Sequence, residues 1–143
     1  MKKMKIAVLL MVAVMTFAVF ASCSSAPATK VKISFFDDIK GEFVVETVEV
    51  ELTKANPTVM DAVIAVKDMF ATLDDYANIE FTDDGKSVMN VDACKENLDG
   101  DPLEFWSFLV NDKEPAGDAS DVAVKDGDVI VYNFVSQAKN ENN

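Results

Sequence analysis

Lys2, Lys3 and Lys5 stand ahead of an apolar run from Ile6 to Ala21 that only Thr16 interrupts. No other feature constrains the fold as much. A basic start before a short apolar stretch is the pattern of an export signal, and the run is short for a bilayer-spanning helix. Residues 1–22 are therefore expected to lie outside the folded unit. What is left of the 143 residues is enough for one domain with a modest core.

The run ends Phe20-Ala21-Ser22-Cys23, which resembles a bacterial lipobox: Ala21 and Ser22 are small, and Phe20 stands where Leu is usual. The resemblance implies cleavage before Cys23 and a diacylglycerol thioether on its sulfur. The protein would then be exported and held to a membrane by its N-terminal lipid, at the cell surface or the periplasmic face. The alternative is an ordinary secretory signal cut after Ala21. Two or three acyl chains anchor a protein stably where one does so only marginally. Residues 23–29 read as a short lipidated tether.

Loss of residues 1–22 removes three Lys and no acid, so the chain's net charge of −12 becomes −15. There is no Arg and no His. Without imidazole, Ser-His and Cys-His nucleophiles and the common zinc sites are excluded. Without guanidinium there is no bidentate phosphate clamp. A strongly acidic surface repels nucleic acid and anionic lipid headgroups alike. If Cys23 is acylated, Cys94 is the one free thiol, expected to be buried and inert.

Hydropathy patterning gives an α+β chain. Residues 30–36 alternate, with Val31, Ile33 and Phe35 on one face, and the turn 37–41 leads to a strand over Phe43–Leu52, completing a hairpin. Thr58 is placed to cap a helix over 58–73, with Asp61 in its first turn. Val59, Ala62, Val63, Val66, Phe70 and Leu73 form its inner face, widened by Met60 and Ile64. Short strands follow near 79–81 and 87–91 around Asp83-Asp84-Gly85, then a loop over 93–102, a strand over 104–110 and a last strand over 129–135. All the strands are expected in one sheet, and residues 136–143 as a disordered tail.

Catalytic and metal motifs are absent. Asn97-x-Asp99-x-Asp101 begins like a calcium loop, but Pro102 and Phe108 occupy the positions that need Gly and Glu. Adjacent acids (Asp37-Asp38, Asp74-Asp75, Asp83-Asp84) all fall in turns, where carboxylates are solvated caps rather than a catalytic pair. The expectation is a non-enzymatic binding protein that requires no cofactor and no metal.

The informative stretch is Phe105-Trp106-Ser107-Phe108-Leu109-Val110-Asn111-Asp112. Strand alternation puts Trp106, Phe108 and Val110 on one face and Phe105, Ser107 and Leu109 on the other. One helix cannot cover both faces, so one aromatic set packs on the helix and the other covers a loop or lies open as a candidate binding surface.

This strand, with Gly117-Asp118-Ala119-Ser120-Asp121, Lys125-Asp126-Gly127-Asp128 and the helix start Thr58-Val59-Met60-Asp61-Ala62, resembles the transcobalamin-like C-terminal domain family, common in bacterial surface lipoproteins. Asp112 replaces the Gly that the pattern has after Asn111. The resemblance spans residues 30–135. It implies a β-grasp-like fold, one main helix on a mixed sheet, and an ability to hold a corrinoid such as cobalamin. In transcobalamin this domain closes over one face of the ligand and a helical domain supplies the other. The ligand-binding residues implied are Trp106, Phe108 and Phe105 for apolar contact and Asn111 and Asp112 for hydrogen bonds. The alternative is a non-catalytic module that docks on a cell-surface protein through the same aromatic strand.

Overall fold

The computed structural model describes residues 27–72 and 78–139. The leader, Cys23, Leu73, Asp74-Asp75 and the last four residues lie outside the described residues. Among those described, no helix is long and apolar enough to cross a membrane.

Strands β1 (Thr29–Asp37) and β2 (Glu42–Leu52) form the expected antiparallel hairpin, with Val31 opposite Val50 and Ile33 opposite Val48. Two irregularities in the register, around Phe35, shift the alternation of β2. Val45 is thereby turned into the core opposite Phe35, while Phe43, opposite Phe36, stays 54% exposed. The connecting turn closes with Gly41 N–H on the Asp37 carbonyl, at a Gly41 φ of 75° that favours glycine.

Helix α1 (Val59–Phe70) starts where its cap requires. Thr58 Oγ1 accepts from the Asp61 N–H, and the Asp61 carboxylate accepts from the Thr58 N–H, a reciprocal capping box. The Val59 and Met60 amides, which no helical turn can satisfy, donate to the carbonyls of Val122 and Ala119 at 2.9 Å each. Segment 118–124 is thus tied to the helix start. Val59, Met60, Ala62, Val63 and Val66 are buried as the spacing predicts. Ile64 is 41% exposed, and Phe70, on the last turn, is half-buried at the rim of the core.

The strands do not form a single sheet. The main sheet has the order β2-β1-β7-β6, where β6 is Leu103–Val110 and β7 is Val129–Gln137. Its central pair β1/β7 is parallel and the outer pairs are antiparallel. Strands β3 (Ile79–Phe81), β4 (Val88–Val91) and β5 (Cys94–Lys95) make a separate three-stranded sheet. These strands are too short to span the main sheet, and they fold back on themselves through turns at 82–87 and 92–93. The expected loop 93–102 therefore contains β5, and β7 runs two residues past its expected end. The fold is α+β, with one helix and a mixed sheet.

Register fixes the core face. Val48, Ile33, Ile130 and Val110 align across β2-β1-β7-β6, as do Val45, Phe35, Tyr132 and Phe108. The helix covers the β1/β2 half of this face, and the small sheet, through β4, lies against β6.

Candidate functional site

The aromatic strand divides between the two faces as alternation requires, but its inner set meets the small sheet rather than the helix. Trp106 is 8% exposed. Its indole N–H donates to the Cys94 carbonyl on β5 at 2.9 Å. Its ring meets Phe35 edge-on at 5.9 Å and Phe134 at a tilt at 5.1 Å. Trp106 is therefore a core residue with a satisfied polar tip, and an open Trp106 platform is not what the structure contains. Phe108 is half-buried and stacks on Tyr132 at 5.3 Å, and Tyr132 stacks on Phe35 at 5.1 Å. Phe105 lies on the opposite face of the sheet, with Leu109, Val131 and Val135, half-buried and apart from the other two aromatics.

Asn111 and Asp112 form the tight turn that ends β6. Both have positive φ, 51° and 63°, the backbone of a two-residue turn that Asn and Asp tolerate. The Asn111 side chain is already engaged: Nδ2 donates to Asp128 Oδ1 at 2.8 Å, and Oδ1 accepts from the Val129 N–H at 2.9 Å. It locks this turn to the Lys125–Asp128 turn, which removes it as a free ligand donor. Asp112 is exposed.

Beside Phe108 opens a cleft of about 210 Å³, walled by Phe108, Trp106 and Tyr132 and by Ser87, Glu114, Pro115 and Asp118. The Tyr132 hydroxyl is buried without a hydrogen-bond partner, and burial lifts its pKa well above the ordinary phenol value. Tyr132, Glu114 and Asp118 escape sequence reasoning because they join the site only through the β6/β7 register and the fold-back of 113–124. The one available signal is the β7 alternation, which sets Ile130, Tyr132 and Phe134 on a common face.

A second cleft, of about 190 Å³, lies at the other end of β6 around Asp37, Lys40, Cys94, Lys95 and Glu104. Burial by itself would raise the pKa of Asp37. Hydrogen bonds from the Lys40 amide, the Cys94 thiol, the Lys40 ammonium and the Ile39 amide outweigh it and hold the carboxyl below its ordinary value. The Cys94 thiol donates to Asp37 at 3.3 Å, and burial together with that carboxylate pushes it up to about 11. It is a protonated structural thiol. Among the described residues, no group of three or more Asp, Glu or Cys side chains is placed to hold a metal ion.

No protein-family model matches this chain, and no curated protein does. Among solved structures, a candidate metal-binding protein from Ruminococcus gnavus ATCC 29149 is similar at 10% identity, with a TM-score of 0.45 over 76% of this chain and 97% of that one. Haptocorrin in complex with Cbi is similar at 14% identity, with a TM-score of 0.51 over 82% of this chain. The matched region spans 28% of the haptocorrin chain, and at this identity the likeness is one of fold alone.

Proposed function

We propose that the protein is a non-enzymatic, lipid-anchored module that binds a flat, amphipathic small molecule of the corrinoid type at the Phe108 cleft. The carrying observation is the aromatic row Phe35-Tyr132-Phe108, which ends in a half-buried ring on the wall of a cleft. At about 210 Å³ the cleft is smaller than the roughly 300–1,000 Å³ that encloses a whole small ligand. It suits one edge of a larger molecule and leaves the rest open to a second protein. The order β2-β1-β7-β6, with a parallel centre and one helix on one face, supports the β-grasp-like reading. The haptocorrin fold likeness supports a ligand of this class without identifying it.

Trp106 is the sole Trp, so a coloured ligand that reaches the cleft quenches its fluorescence. Titration with cobinamide and cobalamin is expected to quench, and Phe108→Ala to weaken binding about 5- to 30-fold, the loss of an aromatic contact worth ~1–2 kcal/mol. Trp106→Ala is the wrong probe, because it empties the core and leaves the Cys94 carbonyl unbonded. Absence of quenching and of any thermal shift with cobinamide and cobalamin removes the corrinoid reading and leaves the protein-docking module as the better account. The lipid anchor is tested separately: Cys23→Ala is expected to move the protein from the membrane fraction to the soluble one, and continued pelleting with membranes would place the anchor elsewhere.

A further inference from the structure

The outer edge of β6 is closed at both ends and open in the middle. The Asn111 N–H donates to the Val129 carbonyl at 2.8 Å. By the alternation of an antiparallel ladder, the odd-numbered residues of β6 then bond β7, and the even-numbered ones turn their N–H and C=O groups away from it. Glu104 exchanges both bonds with Asn97, at 3.1 and 2.8 Å. Val110 exchanges both with Lys113, at 2.9 and 3.2 Å. The Trp106 N–H donates to the Glu96 carboxylate at 3.2 Å. Phe108, between them, has neither group engaged by another described residue.

This gap adjoins the cleft that Phe108 walls together with Glu114, Pro115 and Asp118. Neither Glu114 nor Asp118 enters an ion pair with a described residue. Tyr132, which carries the unpartnered hydroxyl, lines the same space at 2% exposure. The cleft therefore combines one backbone donor, one backbone acceptor, two further acceptors and an aromatic wall. A carboxylate ligand would face two like charges, and an ammonium would leave the Phe108 N–H without an acceptor. A carboxamide offers both an acceptor and donors.

We propose that the Phe108 edge is a carboxamide-binding subsite for the periphery of a small amphipathic ligand. The amide oxygen accepts from the Phe108 N–H, one amide N–H donates to the Phe108 carbonyl, and the second N–H turns toward Glu114 or Asp118. The inference rests on the small-molecule reading above and names the group that the cleft recognises. An extended peptide presents the same pair of groups, so it forms the second arm of the test.

The test follows the Phe108 amide in ¹⁵N-labelled protein, with Trp106 fluorescence read in parallel. Saturating cobinamide is expected to shift the Phe108 proton downfield and slow its hydrogen exchange at least tenfold. Cobinamide hydrolysed to its carboxylic acids is expected to do neither. In the Glu114→Gln/Asp118→Asn variant, cobinamide binding is expected to fall three- to tenfold while the acid form gains. Quenching of Trp106 with an unmoved Phe108 amide overturns the subsite and leaves the small-molecule reading standing. Protection by a blocked Thr-Gln repeat hexapeptide, and not by cobinamide, assigns the edge to an extended chain and overturns the proposal. A Phe108 amide unmoved by both probes, with no quenching, overturns the subsite and the small-molecule reading together.

Discussion

At the scale of single residues, the turn before β7 and the acid at the end of β1 hold the most structural information. Gly127 has φ 87°, its N–H donates to the Lys30 carbonyl, and the Asp126 carboxylate beside it accepts from the Lys30 N–H. A β-branched side chain resists that backbone region, so Gly127→Val is expected to cost about 1–3 kcal/mol. Asp126→Ala loses one exposed hydrogen bond, worth roughly 0.5–1.5 kcal/mol at most. Equal losses in urea melts would contradict the assignment of the turn. Asp37 is 1% exposed, and its carboxyl titrates below the ordinary value because its four donors outweigh burial. The unfolded chain therefore binds the proton first as pH falls. The stability that Asp37 contributes is complete above the unfolded value near 3.8 and drains away as pH drops through its lowered native value. In Asp37→Asn the acid limb of the stability curve is expected to flatten. An unchanged limb would assign the acid sensitivity to other carboxylates, of which Asp61 is the first candidate because its pKa is lowered as well.

At the scale of elements, the helix and the strands differ in how far sequence exposes them. The capping box and the 3.6-residue spacing are local, so Thr58, Asp61 and the face Val59-Ala62-Val63-Val66 could be read directly. How far that face stays covered depends on where the helix leaves the core, which no local pattern encodes. Phe70 fits the spacing yet is half-buried, whereas Phe35 on β1 is fully enclosed between Trp106 and Tyr132. Phe35→Ala is expected to cost about 3–5 kcal/mol and Phe70→Ala clearly less, below about 2 kcal/mol. Thermal or urea unfolding of the two variants decides between them, and equal costs would place the helix C-terminus deeper in the core. The alternation of β6 was equally legible, but the identity of what covers its inner face was not. Trp106 meets a second sheet because β3, β4 and β5 pair only with each other.

At the scale of the whole molecule, pairing between distant segments decides what the sequence leaves open. The fold class and the order of elements follow from pattern, while the two-sheet arrangement follows from which strands find partners. The candidate site shows the same division. Phe108 belongs to it and was read from the strand, Trp106 serves the core, and Phe105 faces away. Asn111 spends its side chain on Asp128 and Val129, and Tyr132, Glu114 and Asp118 arrive by tertiary placement. Each miss is a register or a fold-back rather than a misread local preference.

The main sheet is completed by its two most distant strands. Lys30 and Asp126 bond across a separation of 96 positions, and β1 lies parallel to β7 along six consecutive residue pairs from Lys32↔Val129 to Asp37↔Phe134. A chain emerging N-terminus first therefore has its first strand waiting for its last, and the hairpin β1/β2 alone is marginal in water. Loop closure of this length places folding in the slow, millisecond-to-second range of non-local topologies. A chain ending at Asp128 is expected to show no cooperative unfolding transition by near-ultraviolet circular dichroism, and a cooperative melt of that fragment would refute this. Threading through a narrow channel requires an unfolded chain, and here the topology itself withholds the fold until the final strand has been delivered.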